Sequence, residues 1–258
     1  MAEILESRRE GCLLRLALNR PEKRNALSAQ LCRDLVHVLE TAERDPQIGA
    51  ILLTGNGKHF CAGMDLSEVG TLDTQEINTG QEQLFTVGAR LQKPLIAAVQ
   101  GAALGGGMGL VANCHVVIAG EAATFGLTEI RLGLWPFLVF RVLTTGIGER
   151  RALELSLTGR ILGAPEAREI GLVHEVTRDL EKRALEVATA IAESSPTALR
   201  SGLAFVQEVR GRDWKTAGEI ARRTRDEVFE SADFAEGVQA FREKRPPRWP
   251  SRHTQPRP

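Results

Sequence analysis

The chain has 258 residues, 43% hydrophobic and 26% charged, which excludes a disordered chain, a collagen and a coiled-coil rod. Lys and Arg number 33 against 33 Asp and Glu, so no global positive field gathers nucleic acid or an anionic membrane. The length suits one large core, alone or with a small appendage.

Two short strands are expected at 3–9 and 12–18, around Glu10-Gly11, with Leu14, Leu16 and Leu18 alternating in the second. Asn19-Arg20-Pro21 breaks the chain. Ser28 caps a helix to about Arg44 with Leu31, Leu35, Val38 and Ala42 on one face. Ala50–Thr54 is a buried strand ending at Gly55-Asn56-Gly57. Residues 66–92 are polar without a strong period and read as short helices and a mobile loop. The stretch Pro94–Gly120 holds no charged residue over 27 positions, long enough for a membrane span. Its six glycines, with Gln100, Asn113 and His115, instead divide it into a buried strand (Leu95–Gln100), a turn, a glycine-opened helix and a second strand (Cys114–Ala119). Two short segments, Thr124–Gly126 and Leu127–Leu132, follow. Beyond them come helices at Glu149–Leu157 and Pro165–Ile170, a strand at Gly171–Val176, and helices at 179–193, 196–210, 214–229 and 233–243. This order predicts an α/β architecture with parallel pairing, a core over 1–195, and a helical region over 196–258. The tail from Arg245, with five prolines and four arginines, is expected to be poorly ordered.

Four cysteines, at 12, 32, 61 and 114, form no CxxC pair, which suits reduced thiols in a cytoplasmic protein. The N-terminus MAEILESRRE has no apolar core, so no secretory signal is expected. No two of the five histidines stand at ligand spacing, and no metal is predicted.

Gly105-Gly106-Gly107 does not fit a dinucleotide fingerprint, because residue 110 is Leu, and Gly57-Lys58-His59 is no P-loop. Bare backbone at a helix start can instead hold a negative oxygen on free N–H groups, or simply allow tight helix–strand packing. The segment Phe60 to Leu66 (FCAGMDL) is similarly approachable, and Asp65 alone reads as a helix cap.

Six motifs in order resemble the crotonase family of enoyl-CoA hydratases and isomerases over Met1–Glu243. They are Leu18 to Leu27 (LNRPEKRNAL), Phe60 to Leu66, Gln100 to Gly107 (QGAALGGG), Phe125 to Glu129 (FGLTE, where the family has FGxPE), Thr158-Gly159-Arg160 through Val173, and Glu236-Gly237 to Lys244. The resemblance implies a ββα spiral core with a helical C-terminal trimerisation region, assembled as a homotrimer or homohexamer. It implies an acyl-CoA substrate and no cofactor beyond its CoA moiety; some relatives also bind RNA, but the balanced charge makes neither nucleic acid nor membrane an expected partner. It places the N–H groups of Met64 and Gly106 on the thioester oxygen, and Arg24, Ala26, Ala62, Asp65, Leu66, Phe241 and Lys244 along the CoA.

The chain departs from the family at a catalytic acid. Of the two glutamates that hydratases carry, the second is Glu129, but the first falls on Gly109. One carboxylate suffices to move a double bond from C3 to C2, which makes a 3-enoyl-CoA isomerase the expected activity. The alternatives are a hydratase working with Glu129 alone or with Asp65 or Glu68 as substitute acid, and a silent CoA-binding scaffold. The bulky run Leu134 to Phe140 beside Glu129 leaves little room for an ordered water. An ion pair with Arg131 is the other use open to Glu129.

Overall fold

A computed structural model describes residues 3–252, apart from the side chains at 74, 76, 77 and 78. Hairpin strands β1 (Leu5–Glu10) and β2 (Leu13–Leu18) are antiparallel, turning at Gly11 with φ 60°. From β2 the sheet continues in parallel through β3 (Ala50–Gly55), β4 (Leu95–Val99), β6 (Val116–Gly120) and β9 (Glu175–Thr177). Register places Leu16, Leu53, Ala97 and Val117 in one buried row. All five residues of β4 are buried, as an uninterrupted apolar run in a parallel strand requires when both faces are covered.

One face packs on α1 (Ala29–Arg44), capped by Ser28, whose hydroxyl accepts from the Leu31 N–H at 3.1 Å. The other face packs on α7 (Leu180–Ala192), which presents Ala184, Ala188 and Ala192 to Leu52, Ile96 and Ile118. A second, small sheet joins β5 (Ala102–Leu104) in parallel to β7 (Thr124–Gly126), and β7 antiparallel to β8 (Ile161–Gly163). Between β5 and β6 lies α3 (Gly106–Ala112).

Several expectations need correction. Within 66–92 a single 14-residue helix, α2 (Thr74–Val87), starts at Asp73, whose carboxylate accepts from the Gln75 N–H. Its period is hidden because the buried residues Leu84, Phe85 and Val87 crowd its last turn. The second half of the bulky run, Phe137 to Phe140, opens α4 (Phe137–Ile147), which buries Val139, Leu143 and Ile147 at four-residue spacing. After α5 (Glu149–Thr158) and α6 (Ala164–Glu169), the last strand begins at Glu175 rather than 171. The N–H groups of Leu172 and Val173 are turned back onto the Ala167 carbonyl and cannot join the sheet.

Helices α8 (Pro196–Glu208), α9 (Trp214–Phe229) and α10 (Ala232–Glu243) follow. The expectation of a poorly ordered tail is wrong for 245–252. Arg245 pairs with Glu236 at 2.6 Å, Trp249 donates to the Glu193 carbonyl at 2.7 Å, and Ser251 bonds Asp233. Arg252 donates to the carbonyls of Ala192 and Ser194 at the end of α7, where the helix dipole favours a cation. These donors anchor a segment whose prolines supply none. His253 and Arg257 lie outside the described residues.

Three histidines accept strand N–H groups. Nδ1 of His115 accepts from Leu95, that of His174 from Val117, and that of His59 from Ala102. Among the described residues, no helix is long and apolar enough to cross a membrane, and no group of three or more His, Cys, Asp or Glu could hold a metal ion.

Candidate active site

A cavity of about 760 Å³ opens between the 62–70 loop, α2, the start of α3, and residues 128–139. Met64 and Gly106 both line it. Residue 27 is stitched to the loop on both sides of Met64: Leu27 N–H donates to Gly63 O at 2.7 Å and Asp65 N–H to Leu27 O at 3.0 Å. That alternation leaves the Met64 N–H pointing away from residue 27. The Gly105 N–H is spent on Gly126 O, so Gly106 is the first free donor of α3. Among the described residues neither the Met64 nor the Gly106 N–H has an acceptor.

Glycine is required here by space. Gly63 has φ +94°, and a Cβ on it would stand 2.8 Å from Leu104 O and 3.4 Å from the Gly106 nitrogen. A Cβ on Gly107 would overlap the Cys61 carbonyl. The two donor segments therefore approach each other over bare backbone, as a hole for a developing oxyanion must.

Glu129 stands in the first turn of the 3-10 segment Thr128–Leu132, directly after β7. Its Oε1 lies 3.0 Å from where a Cβ on Gly105 would sit, which puts the carboxyl beside the residue that precedes the Gly106 donor. Its Oε2 is buried without a hydrogen-bond partner among the described residues. Burial pushes its pKa above the ordinary carboxylate value. The alternative of a pair with Arg131 is not realised, since that guanidinium turns toward Gly159.

At Gly109 the place of a second acid is filled. A Cβ there would lie 2.8 and 2.9 Å from the two Val139 methyls and 3.1 Å from Phe85 Cε1. The substitute acids are also engaged. Asp65 accepts from Ser67 and from Arg20 Nη2 at 2.7 Å. Burial alone would raise its pKa, but these bonds outweigh burial and hold it low. Glu68 accepts from the Ala29 N–H at 2.8 Å, at the start of α1. Neither residue lines the cavity.

This geometry agrees with three comparisons. The family model for enoyl-CoA hydratase/isomerase matches residues 8–252. The 2,3-dehydroadipyl-CoA hydratase of Escherichia coli is 39% identical over 254 residues, covering 96% of this chain and 98% of that protein. The enoyl-CoA hydratase EchA19 of Mycobacterium tuberculosis is 36% identical over 253 residues, covering 95% of each. An enoyl-CoA hydratase from Bacillus anthracis superposes with TM-score 0.90 at 33% identity, over 96% of this chain and all of that one. The chain belongs to the enoyl-CoA hydratase/isomerase family. Its fold is the crotonase fold.

Within this family enzyme the remaining predicted residues divide. Ala62 and Leu66 line the cavity, whereas Arg24, Ala26 and Asp65 do not. Arg24 and Asn25 are both left-handed, at φ 52° and 55°. The Arg24 carbonyl accepts from Ala62 N–H at 3.0 Å. Arg20 donates to Ala26 O at 2.6 Å as well as to Asp65. Asn25 ties Asn56 O and His59 O with its side-chain amide. Phe241, on α10, and Lys244, its left-handed C-cap, lie outside this chain's cavity wall.

Sequence reading did not assign Arg20, which positions the Met64 loop, nor Gln81, Glu82 and Phe85, which line the cavity from α2. The i, i+4 spacing of Gln81 and Phe85 was the available signal, but it depended on recognising α2. A second cleft of about 390 Å³, near Glu43, Lys93 and Arg200, contains none of the predicted residues. There Lys93 donates to the Ala42 and Asp45 carbonyls at the end of α1, and burial brings its pKa down to about 8.

Proposed function

We propose that this enzyme isomerises a 3-enoyl-CoA to the 2-enoyl-CoA with Glu129 as its only acid/base. The thioester oxygen takes the N–H groups of Met64 and Gly106. Glu129 removes a proton from C2, the C3=C4 double bond moves to C2=C3 through the enolate, and the protonated Glu129 returns the proton to C4. No water is consumed. A carboxyl with a raised pKa suits both halves of this transfer, since it is basic enough to accept the proton and acidic enough to return it. The observation that carries the reading is the filling of the Gly109 site by Val139 and Phe85, which leaves neither acid nor open space there.

The second reading is hydration of a 2-enoyl-CoA. The hydratase names of the relatives favour it. It would need a further proton-handling group, and Glu82, exposed on the cavity wall, is the other carboxylate available there. We place the enzyme in a homotrimer or hexamer, with the CoA end met by Phe241 and Lys244 of a neighbouring copy. Phe241 is 86% exposed and Trp214 95%, as residues awaiting a subunit contact would be.

A paired assay tests the chemistry. With a trans-3-enoyl-CoA the absorbance of the conjugated thioester should rise. With a trans-2-enoyl-CoA it should hold steady. A fall with the second substrate would establish the hydratase instead, and binding of acyl-CoA with no turnover of either would leave a scaffold.

A further inference from the structure

Large apolar side chains left open to water usually mark something that covers them. Here six of them line one cavity. Leu66, Val69, Leu132, Leu134, Phe137 and Leu138 are all exposed, and all face the space that begins at Gly105, Gly106 and Glu129. The surface is continuous with the donor pair and the base, so its natural occupant is the part of the substrate that extends beyond the reacting carbons. Charge restricts that part further. The described residues that line the cavity include no Lys, Arg or His, and their only ionisable groups are the carboxylates of Glu82 and Glu129.

Resting on the thioester reading above, we infer that the acyl group is an uncharged apolar chain longer than four carbons, lodged between the 66–70 loop and residues 132–138. An acyl group ending in a carboxylate finds no counter-ion among the described residues of this cavity and meets two like charges. Its terminal group would be desolvated without compensation.

Binding of saturated acyl-CoAs tests this without requiring any turnover. Full burial of a methylene is worth about fourfold in affinity. Octanoyl-CoA should therefore bind at least about tenfold more tightly than butanoyl-CoA, allowing for chain that stays partly wet. Suberoyl-CoA, which differs from octanoyl-CoA only in its terminal carboxylate, should lose most of that gain. The double variant Leu66→Ser, Val69→Ser changes two exposed positions and should shrink the octanoyl-to-butanoyl ratio, with circular dichroism reporting an intact fold. Equal affinity for butanoyl- and octanoyl-CoA would overturn the inference and give the apolar wall to another copy of the chain. Suberoyl-CoA binding as tightly as octanoyl-CoA would overturn the charge argument. The chain-length order can hold while neither enoyl-CoA isomer is turned over, in which case the proposed reaction fails and the acyl class stands. Turnover without any chain-length gain is the reverse.

Discussion

Putting a methyl group on Gly109 probes the wall that replaces the second acid. In the interior of α3 the Gly→Ala change by itself should stabilise the helix by about 1 kcal/mol. Against this, the new Cβ would stand 2.8 and 2.9 Å from the Val139 methyls and 3.1 Å from Phe85 Cε1. Val139 is only 4% exposed, and its branched side chain is held to one rotamer in a helix, so it cannot turn aside. Overpacking of this kind costs about 1–3 kcal/mol. Gly109→Ala should accordingly be destabilising by up to about 2 kcal/mol, the difference between these opposing effects. Removing the two methyls first, with Val139→Ala, abolishes the closest contacts. In that background Gly109→Ala should become neutral or stabilising. The double-mutant cycle, read from urea midpoints at one protein concentration, should give a favourable coupling of about 1–3 kcal/mol. Strict additivity, with coupling below about 0.5 kcal/mol, would refute the packing argument and the claim that the wall occupies the acid's place.

Further outcomes at three residues follow from charge and hydrogen bonding. Glu129→Gln should lower isomerase kcat/KM by about 10²–10⁴-fold, and the wild-type acid limb should lie above the ordinary carboxylate range. Because the folded pKa of Glu129 is raised, its ionisation lowers stability as pH climbs past the unfolded value, so Glu129→Gln should be more stable than wild type at pH 7 by thermal melting. Arg20→Met strands the Asp65 carboxylate, whose side chain is 6% exposed, and should cost about 3–5 kcal/mol in urea unfolding. The pair Arg20→Met, Asp65→Leu should recover most of that loss. Burial lowers the pKa of His115, so the unfolded chain binds its proton first as pH falls; its contribution is complete above about 6.5 and is lost below that value. His115→Gln, able to accept from the Leu95 N–H through its amide oxygen, should flatten the melting temperature across that window.

Local chemistry was legible where it depended on neighbours in sequence. Ser28 as a cap and the alternation of Leu14, Leu16 and Leu18 appear as expected in the structure, and the uncharged stretch divides at its glycines into strand, helix and strand, although the expected turn holds the short strand β5, whose partner β7 lies twenty positions on. The motifs around Met64, Gly106 and Glu129 fall on one cavity as the family resemblance implies. What remained hidden depends on partners distant in sequence. The tail from Arg245 looked unattached by composition, but its donors reach Glu193 and Ala192, more than fifty positions earlier. Asp65 was rightly read as a cap, yet its ion pair with Arg20 crosses 45 positions, and it is this pair that removes Asp65 from the list of spare acids.

Gly109 illustrates the division most clearly. Set against the family's pattern, its identity says that an acid is missing, and a missing side chain ordinarily leaves a hole that water can enter. Whether such a hole exists is decided by Val139, thirty positions away on a helix that the local pattern did not declare, and by Phe85 on another. Both are buried, and both occupy the space that a Cβ on Gly109 would need. A glycine in an open site would keep hydration within reach of any nearby carboxylate. A glycine pressed by a valine and a phenylalanine leaves no room for a side chain at that place, and in the proposed mechanism Glu129 then carries the proton inward and outward alone. In the proposed isomerase, apolar packing beside the base does what the missing side chain cannot: it keeps position 109 free of a second proton-handling group.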